Sequence, residues 1–297
     1  MKPKNVAASV AAKLLKHSKD SGRNYNEILV YYGIERFLAR LSKSKFNSQF
    51  VLKGAMALHV LNADLARSTR DIDFLAFESN DPDKMKKIIS LICEINLEDG
   101  VLFDLKSLET EIIKEDAEYQ GVRVSFLGKL EKAEIPLQVD IAVGDTMTPK
   151  PEELAFPVIL GNGFRLKVYP KETVIAEKLQ AMVLLDMLNS RMKDFFDIWF
   201  LATNFSFDGD LLQKAIEATF KNRETDLVAL PTALTPEFYL DKNKTLQWSA
   251  FRKRIANSAP ESLEEVCKIV FNFAGPILEA SAARDKFAMK WNAPEWR

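Results

Sequence analysis

Two aspartates separated by one residue have the type and spacing of a metal site. Asp71 and Asp73 lie in the run Asp-Ile-Asp-Phe, and side chains on a strand alternate between its two faces. The two carboxylates therefore share one face, while Ile72 and Phe74 point into the core. Adjacent carboxylates repel each other unless a cation lies between them, and Mg2+ or Mn2+ prefers such oxygen ligands. A solvated turn is the simpler interpretation of the same pair.

The residues around the pair favour a nucleotide site. Gly54 lies upstream, where backbone N–H groups could approach a phosphate closely and a following helix would direct its positive end toward it. The loop before the strand is basic, with Arg67 and Arg70, which suits a site for a triphosphate and a metal ion. A glycine turn followed by an acidic strand is the layout of a nucleotidyltransferase.

The elements that must position these residues change in character along the chain. Residues 1–47 have apolar and basic positions at helical spacing with a break near Gly22, and residues 82–95 predict an amphipathic helix. Strand periodicity follows at 101–106, 111–114, 121–127 and 136–143.

From residue 170 onward apolar residues recur every three or four positions, which predicts helices. These predicted helices cover 171–188, 190–204, 210–220, 236–256 and 262–287. We therefore predict a two-lobed α+β protein. A mixed β-sheet lobe with N-terminal helices would cover residues 1–168, and a mostly helical C-terminal lobe that closes the active-site cleft would cover residues 169–297.

Asp140 is the one carboxylate in the apolar strand 136–143. Leu137, Val139 and Ile141 share one parity, and Asp140 lies on the other, so it faces away from the core. The simple interpretation is the polar side of a half-exposed strand.

Lys178 and the pair Asp194 and Asp197 lie in apolar helices. A lysine whose stem covers apolar surface is the simple interpretation of Lys178. Asp194 and Asp197 are three residues apart and therefore share one helix face, where pairing with Arg191 and Lys193 is the simple interpretation.

Composition limits the possible partners and location. The chain has 297 residues with 41 basic and 42 acidic side chains, so a nucleic-acid contact must depend on a local basic patch. No apolar run is long enough for a membrane span, and we expect a cytoplasmic protein with reduced Cys93 and Cys267. The N-terminal arm offers a basic face or merely a solvated helix surface, with Lys13, Lys16, Lys19, Arg36, Arg40, Lys43 and Lys45.

Segments along most of the chain resemble one protein family. They are residues 36–42, 50–58, 67–74, 176–179, 191–197, 219–223 and 248–251. In sequence and order they resemble the AbiEii/AbiGii-type nucleotidyltransferase toxins, which include the MenT toxins. One departure is Gly54-Ala55, where the family has Gly-Gly, because the methyl group of Ala55 disfavours positive φ.

The resemblance implies a nucleotidyltransferase-type fold and metal-assisted phosphoryl transfer. Asp71, Asp73 and Asp140 would hold one or two Mg2+ or Mn2+ ions, which neutralise the nucleoside triphosphate (NTP). Lys178 would bind the β- and γ-phosphates, and Asp194 would support Lys178 or the acceptor. The implied nucleotide-binding residues are Lys53, Gly54, Thr69, Arg70 and Lys178, and the implied catalytic residues are Asp71, Asp73, Lys178 and Asp194.

The resemblance also implies a toxin of a bacterial toxin–antitoxin or abortive-infection system. Such a toxin adds nucleotides to RNA, at the 3′ end of tRNA, and is countered by a co-encoded antitoxin. Two alternatives stay open: nucleotidyl or phosphoryl transfer to a protein hydroxyl, and a non-catalytic interaction protein on a decayed scaffold. The joint presence of five groups disfavours decay, namely Asp71, Asp73, Asp140, Lys178 and Asp194.

Thr69 is a candidate regulatory phosphosite two residues before Asp71. Some proteins that resemble this one are silenced by phosphorylation of a hydroxyl at this place. A phosphate would add about −1.5 to −2 charges beside the carboxylates and repel a triphosphate. A hydroxyl that only caps the turn is the alternative.

Overall fold

The computed structural model describes residues 5–61, 71–77, 81–114, 120–255 and 258–297. The chain divides into two units, here called unit 1 (Met1–Asp145 with Glu152–Tyr169) and unit 2 (Thr146–Pro151 with Pro170–Arg297). The lobe boundary at residue 168 stays a prediction. Thr69 and Arg70 of the predicted nucleotide site lie outside the described residues.

Unit 1 begins with helices and continues with a sheet. Asn5 caps the first helix by accepting the N–H of Ala8 at 3.0 Å, and Gly22 ends it with a φ of +69°. In chain order the elements are α1 (Val6–Ser21), α2 (Tyr25–Lys43), β1 (Phe50–Lys53), α3 (Gly54–Leu61), β2 (Asp71–Ala76), α4 (Pro82–Cys93), β3 (Val101–Lys114), β4 (Gln120–Leu130), β5 (Ala133–Val143), β6 (Glu152–Ala155) and β7 (Arg165–Val168).

The strands of unit 1 form one seven-stranded mixed sheet in the order β3-β4-β5-β2-β1-β7-β6. The pairs β2–β5 and β1–β7 are parallel, and the other neighbours are antiparallel. Apolar side chains from one face of this sheet form a core with those of α2 and α4. The mixed sheet with flanking helices confirms the predicted α+β class.

Strand β3 differs from the prediction of two short strands at 101–106 and 111–114. It is a single strand whose register shifts between Asp104 and Glu109. The Ser107 hydroxyl donates to the Asp104 carbonyl at 2.6 Å and accepts the N–H of Leu127 at 2.8 Å. This side chain satisfies backbone groups across the irregularity, so pairing continues past the polar interruption.

Two residues of the N-terminal arm fit neither a basic nucleic-acid face nor a solvated helix surface. Arg36 and Arg40 are buried, with 4% and 2% of their surface exposed. Arg40 donates to both carboxylate oxygens of Asp99, at 2.7 and 3.1 Å. These arginines are therefore committed to ion pairs inside unit 1 and cannot reach a nucleic acid.

Glu35 is the buried partner of Arg36. Its carboxylate accepts the backbone N–H of Ile159 at 2.6 Å and pairs with the Arg36 guanidinium. Burial raises the pKa of Glu35 to about 7, against the opposing effect of Arg36. The fold therefore favours the protonated form of Glu35 more than water does.

Substitution of Glu35 is expected to change how stability depends on pH. Since the pKa is raised in the folded state, the native protein retains a proton that the unfolded chain loses first. Relative to Glu35→Gln, the wild type should thus lose stability as pH rises from about 4.5 to about 7, by at most about 3 kcal/mol. Denaturant unfolding of both proteins at several pH values measures this. A constant difference across that interval would contradict the raised pKa.

Unit 2 is mostly helical, as predicted for its part of the chain. The 236–256 run is broken at Asp241, whose side chain caps a new helix by accepting the N–H of Asn243 at 2.9 Å. The elements are α5 (Lys171–Leu185), α6 (Met192–Asn204), β8 (Phe207–Asp208), α7 (Gly209–Asn222), α8 (Pro236–Tyr239), α9 (Lys242–Arg254), α10 (Leu263–Ala283), β9 (Lys290–Asn292) and β10 (Glu295–Trp296).

Helix α10 is the core helix of unit 2. Among the described residues it alone is long and apolar enough to cross a membrane. Its residues Val266, Val270, Phe273 and Ile277 are fully buried within the protein, so the apolar composition is accounted for by the core. Beside it, β8, β9 and β10 form a small antiparallel sheet, which the sequence pattern did not predict because the strands are two or three residues long.

Candidate active site

The acidic strand β2 lies in the middle of the sheet. Ile72 and Phe74 are buried, whereas Asp71 and Asp73 are half-buried on the opposite face, as the alternation predicts. Asp73 lies between two paired residues on neighbouring strands. Lys53 is its antiparallel partner on β1, and Asp140 is its parallel partner on β5. The backbone of three strands therefore fixes the positions of these carboxylates.

A row of five charged residues crosses this polar face. The register pairs are Glu111 with Arg123, Arg123 with Asp140, Asp140 with Asp73, and Asp73 with Lys53. Directly paired residues on neighbouring strands project to the same side of a sheet. The row thus brings two of the predicted metal ligands side by side, with a cation at each flank.

Asp140 has a partner that sequence reasoning missed. Arg123 donates to both carboxylate oxygens of Asp140, at 2.8 and 2.9 Å, and Gln138 donates to one of them at 3.2 Å. Asp140 is 8% exposed, so it is more buried than the polar side of a half-exposed strand. Arg123 lies on β4 between Val122 and Val124, which point to the opposite, buried face. The same alternation that singles out Asp140 on its strand could therefore have singled out Arg123.

The donor chemistry of the face fits a divalent ion at Asp71 and Asp73. Both are carboxylates on one side of one strand, which is what Mg2+ or Mn2+ requires. Within the described part of the chain, no three or more carboxylate, histidine or cysteine side chains converge as a ready metal cage. Arg123 and Gln138 occupy three of the roughly four lone-pair sites of the Asp140 carboxylate, so Asp140 would join the pair through the remaining site or by displacing a donor. Its assignment as a third ligand stays a prediction.

Gly54 makes room for Asp73. It has a φ of +66°, and a Cβ at this position would overlap the Oδ2 atom of Asp73. The neighbouring Ala55, where the family pattern has a second glycine, is buried in α3 and is not among the described residues with positive φ. The methyl group is therefore accommodated, and the glycine that the site needs is Gly54.

Lys53 lies beside this turn and is almost completely buried. Its ammonium nitrogen is 3.4 Å from Oδ2 of Asp145 and 5.8 Å from the ring centroid of Tyr169. The Lys53 backbone is paired with Asp73 and precedes Gly54, and its role in binding a phosphate stays a prediction.

Gly54→Ala is expected to reduce nucleotide transfer about 100-fold, because the new methyl group displaces Asp73 from its position. Gly22→Ala is the matched control, since Gly22 has a φ of +69° and no described atom lies within 4 Å of the place that a Cβ would take. Both changes carry the same backbone strain of about 1 kcal/mol. Melting temperatures should fall for both variants, and further for Gly54→Ala because of the overlap with Asp73, whereas the transfer rate should fall for Gly54→Ala alone. Equal transfer rates would contradict the role of Gly54.

Unit 2 brings together a lysine and two aspartates from adjacent helices. The Lys178 ammonium on α5 lies 2.6 Å from Oδ1 of Asp194 and 2.9 Å from Oδ2 of Asp197, both on α6. All three side chains are largely buried. Burial acts to lower the pKa of Lys178, but the two carboxylates outweigh it and raise the pKa above its ordinary value. Lys178 is therefore a charged ammonium held in place rather than a lysine that reaches for solvent.

The geometry leaves Lys178 one N–H for a ligand. An ammonium group has three N–H donors, and two of them are directed to Asp194 and Asp197. Both carboxylates therefore contact Lys178, a partner that the interpretation with Arg191 and Lys193 did not include. A third donor on a fixed cation can bind a phosphate oxygen.

Of the predicted site residues, unit 1 contains Lys53, Gly54, Asp71, Asp73 and Asp140, and unit 2 contains Lys178 and Asp194. The roles of these residues stay predictions.

The chain matches one known protein family. The profile of the family described as "Nucleotidyl transferase AbiEii toxin, Type IV TA system" matches residues 36–272. No functionally curated protein gave a significant match.

Two solved structures from Helicobacter pylori are similar to this chain. JHP933 has 18% identity and a TM-score of 0.45, and the match covers 84% of this chain and 89% of that one. A candidate nucleotidyltransferase has 19% identity and a TM-score of 0.46, with 84% and 92% covered.

Proposed function

Because the chain belongs to the AbiEii nucleotidyltransferase toxin family of type IV toxin–antitoxin systems, we propose that it transfers a nucleoside monophosphate from an NTP to RNA, at the 3′ end of tRNA. The observation that carries this proposal is the polar sheet face, where Asp71 and Asp73 lie together beside Gly54 and Lys53. That face combines carboxylates for a cation with a glycine turn and a buried ammonium for phosphates.

Asp71 and Asp73 would hold the divalent ion. When bound, Mg2+ or Mn2+ neutralises the triphosphate and aligns an attacking hydroxyl with the α-phosphorus. Asp140 would take part through the lone pair that Arg123 and Gln138 leave open, or after one of these donors is displaced. A new O–P bond forms at the RNA hydroxyl, the bond between the α- and β-phosphates breaks, and pyrophosphate leaves.

Lys178 would bind the β- and γ-phosphates through its remaining N–H. Asp194 and Asp197 fix the ammonium and keep it protonated, so the positive charge is preorganised for the departing pyrophosphate. In this role Asp194 is a positioning residue for Lys178. Arg70 and Thr69, outside the described residues, complete the proposed nucleotide site.

A cognate antitoxin and a cytoplasmic location are part of the proposal. The family description names a toxin–antitoxin system, and NTPs, tRNA and reduced thiols are found together in the cytoplasm. Cys93 and Cys267 are both free and buried, in agreement with a reducing compartment.

The acceptor is tested by incubating the purified protein with Mg2+, total RNA and each α-labelled NTP in turn. We expect label in the tRNA fraction. RNA whose 3′ diol has been destroyed with periodate should take none, because the attacking hydroxyl is then missing. Label in protein instead of RNA would mean that the acceptor is a protein hydroxyl.

A further inference from the structure

Helix α9 is strongly basic in a protein whose net charge is only −1. Its 13 residues include five lysines or arginines and no acidic side chain. A local concentration of positive charge on a nearly neutral protein is the electrostatic feature that a polyanion partner requires.

The inner face of α9 is built into unit 2. The Lys244 ammonium is buried and donates to the carbonyl of Asn189 at 2.7 Å. Trp248 is also buried, and its indole N–H donates to the carbonyl of Pro260 at 3.2 Å. The helix is therefore held rigidly by these side chains, and its outer face has a fixed orientation.

The outer face of α9 carries Lys242 at one end and Lys253 and Arg254 at the other. All three are exposed, and within the described ranges none of them forms an ion pair. Lys242 and Lys253 are 11 residues apart, a distance of about 16 Å along the helix. The exposed residues between these ends are uncharged, chiefly Asn243, Thr245, Leu246, Ser249 and Ala250.

The inner face of α9 packs against α6. The ring centroid of Phe251 on α9 is 5.8 Å from that of Phe196 on α6, the helix of Asp194 and Asp197. Asn189, which accepts from Lys244, lies in the turn before the same helix. These contacts fix the position of α9 within unit 2, so its outer face is held in one orientation.

We propose that the outer face of α9 binds the phosphate backbone of the RNA acceptor, an inference that rests on the proposed function. Phosphates are contacted by lysine and arginine together with small hydroxyl and amide side chains, and this is the composition of the face. An acidic protein partner is less suited, since protein interfaces need large apolar anchors and Leu246 is the single large apolar residue exposed on α9.

The test is a triple variant, Lys242→Gln with Lys253→Gln and Arg254→Gln. Binding of fluorescent tRNA to the full-length protein is measured by anisotropy at several salt concentrations, without NTP. We expect binding about tenfold weaker at physiological salt and a salt slope smaller by about three, because each of the three lost phosphate contacts removes about one unit. The matched control removes three exposed lysines from α4: Lys84→Gln, Lys86→Gln and Lys87→Gln. It should bind as the wild type does.

Two outcomes would overturn the assignment. One is unchanged tRNA affinity and salt slope in a folded α9 variant, and the other is an equal loss in the α4 control, which would indicate only total charge. Because this assay needs no NTP, a wild type that binds tRNA through α9 but labels no RNA would refute the proposed function alone.

Discussion

Asp73→Asn is expected to abolish nucleotide transfer while the protein remains folded. Asparagine preserves the size of the side chain next to Gly54 but removes the charge that would hold Mg2+. Loss of a metal ligand at the reacting phosphate should lower the rate at least about 1,000-fold, which corresponds to about 4 kcal/mol of transition-state stabilisation. Single-turnover transfer assays measure the rate, and Mn2+ titration followed by electron paramagnetic resonance measures metal binding without turnover.

Asp104→Asn is the matched control for Asp73→Asn. Asp104 is a carboxylate of the same sheet that lies outside the charged row and accepts from Lys129 at 2.8 Å. This variant should retain wild-type transfer and Mn2+ affinity. Wild-type transfer by Asp73→Asn in the presence of Mg2+ would show that the acidic strand is not the metal site.

Lys178→Met is expected to lower kcat/KM for the NTP at least about 100-fold, as for loss of one preorganised donor. Methionine keeps the length of the stem but leaves Asp194 and Asp197 buried without their shared cation. Breaking a buried ion pair in this way costs about 3 kcal/mol. The two buried carboxylates then repel each other, so the variant should unfold at a lower denaturant concentration than the wild type at neutral pH.

The structural and chemical effects of this change can be separated. Adding Asp194→Asn to Lys178→Met should restore much of the stability, because only one buried carboxylate remains, but it should restore no transfer. Lys268→Met serves as the control, since Lys268 pairs with Glu264 on an exposed helix surface. Growth of bacteria that express each variant gives a second readout, with relief of toxicity expected for Lys178→Met and for the double variant but not for Lys268→Met. Recovery of transfer in the double variant would remove Lys178 from the phosphate site.

Local patterns were enough to predict the parts of the site that depend on one strand or one helix. Alternation along β2 predicts that Asp71 and Asp73 face away from Ile72 and Phe74, and parity along β5 isolates Asp140 in the same way. The spacing of Asp194 and Asp197 predicts their shared helix face. These features need only the period of a single element.

Contacts that depend on register or tertiary packing could not be predicted from those patterns. Arg123 meets Asp140 because the β4–β5 hairpin aligns them, and a shift of one residue would have placed Arg123 on the apolar face. The hydrogen bond to the buried Glu35, the partner of Arg36, likewise comes from Ile159, more than 100 residues away in sequence. The strands β6 to β10 have at most four residues each, too few for a periodic signal.

Nucleotidyl transfer itself is tested most directly by the position of the label in the NTP. Purified protein, Mg2+ and tRNA are incubated with one NTP labelled either at the α-phosphate or at the γ-phosphate. The predicted result is α-label joined to the tRNA and γ-label released only as pyrophosphate, with neither product formed by Asp73→Asn. Transfer of γ-label to RNA or protein, with no α-label incorporated, would contradict nucleotidyl transfer and indicate a phosphotransferase.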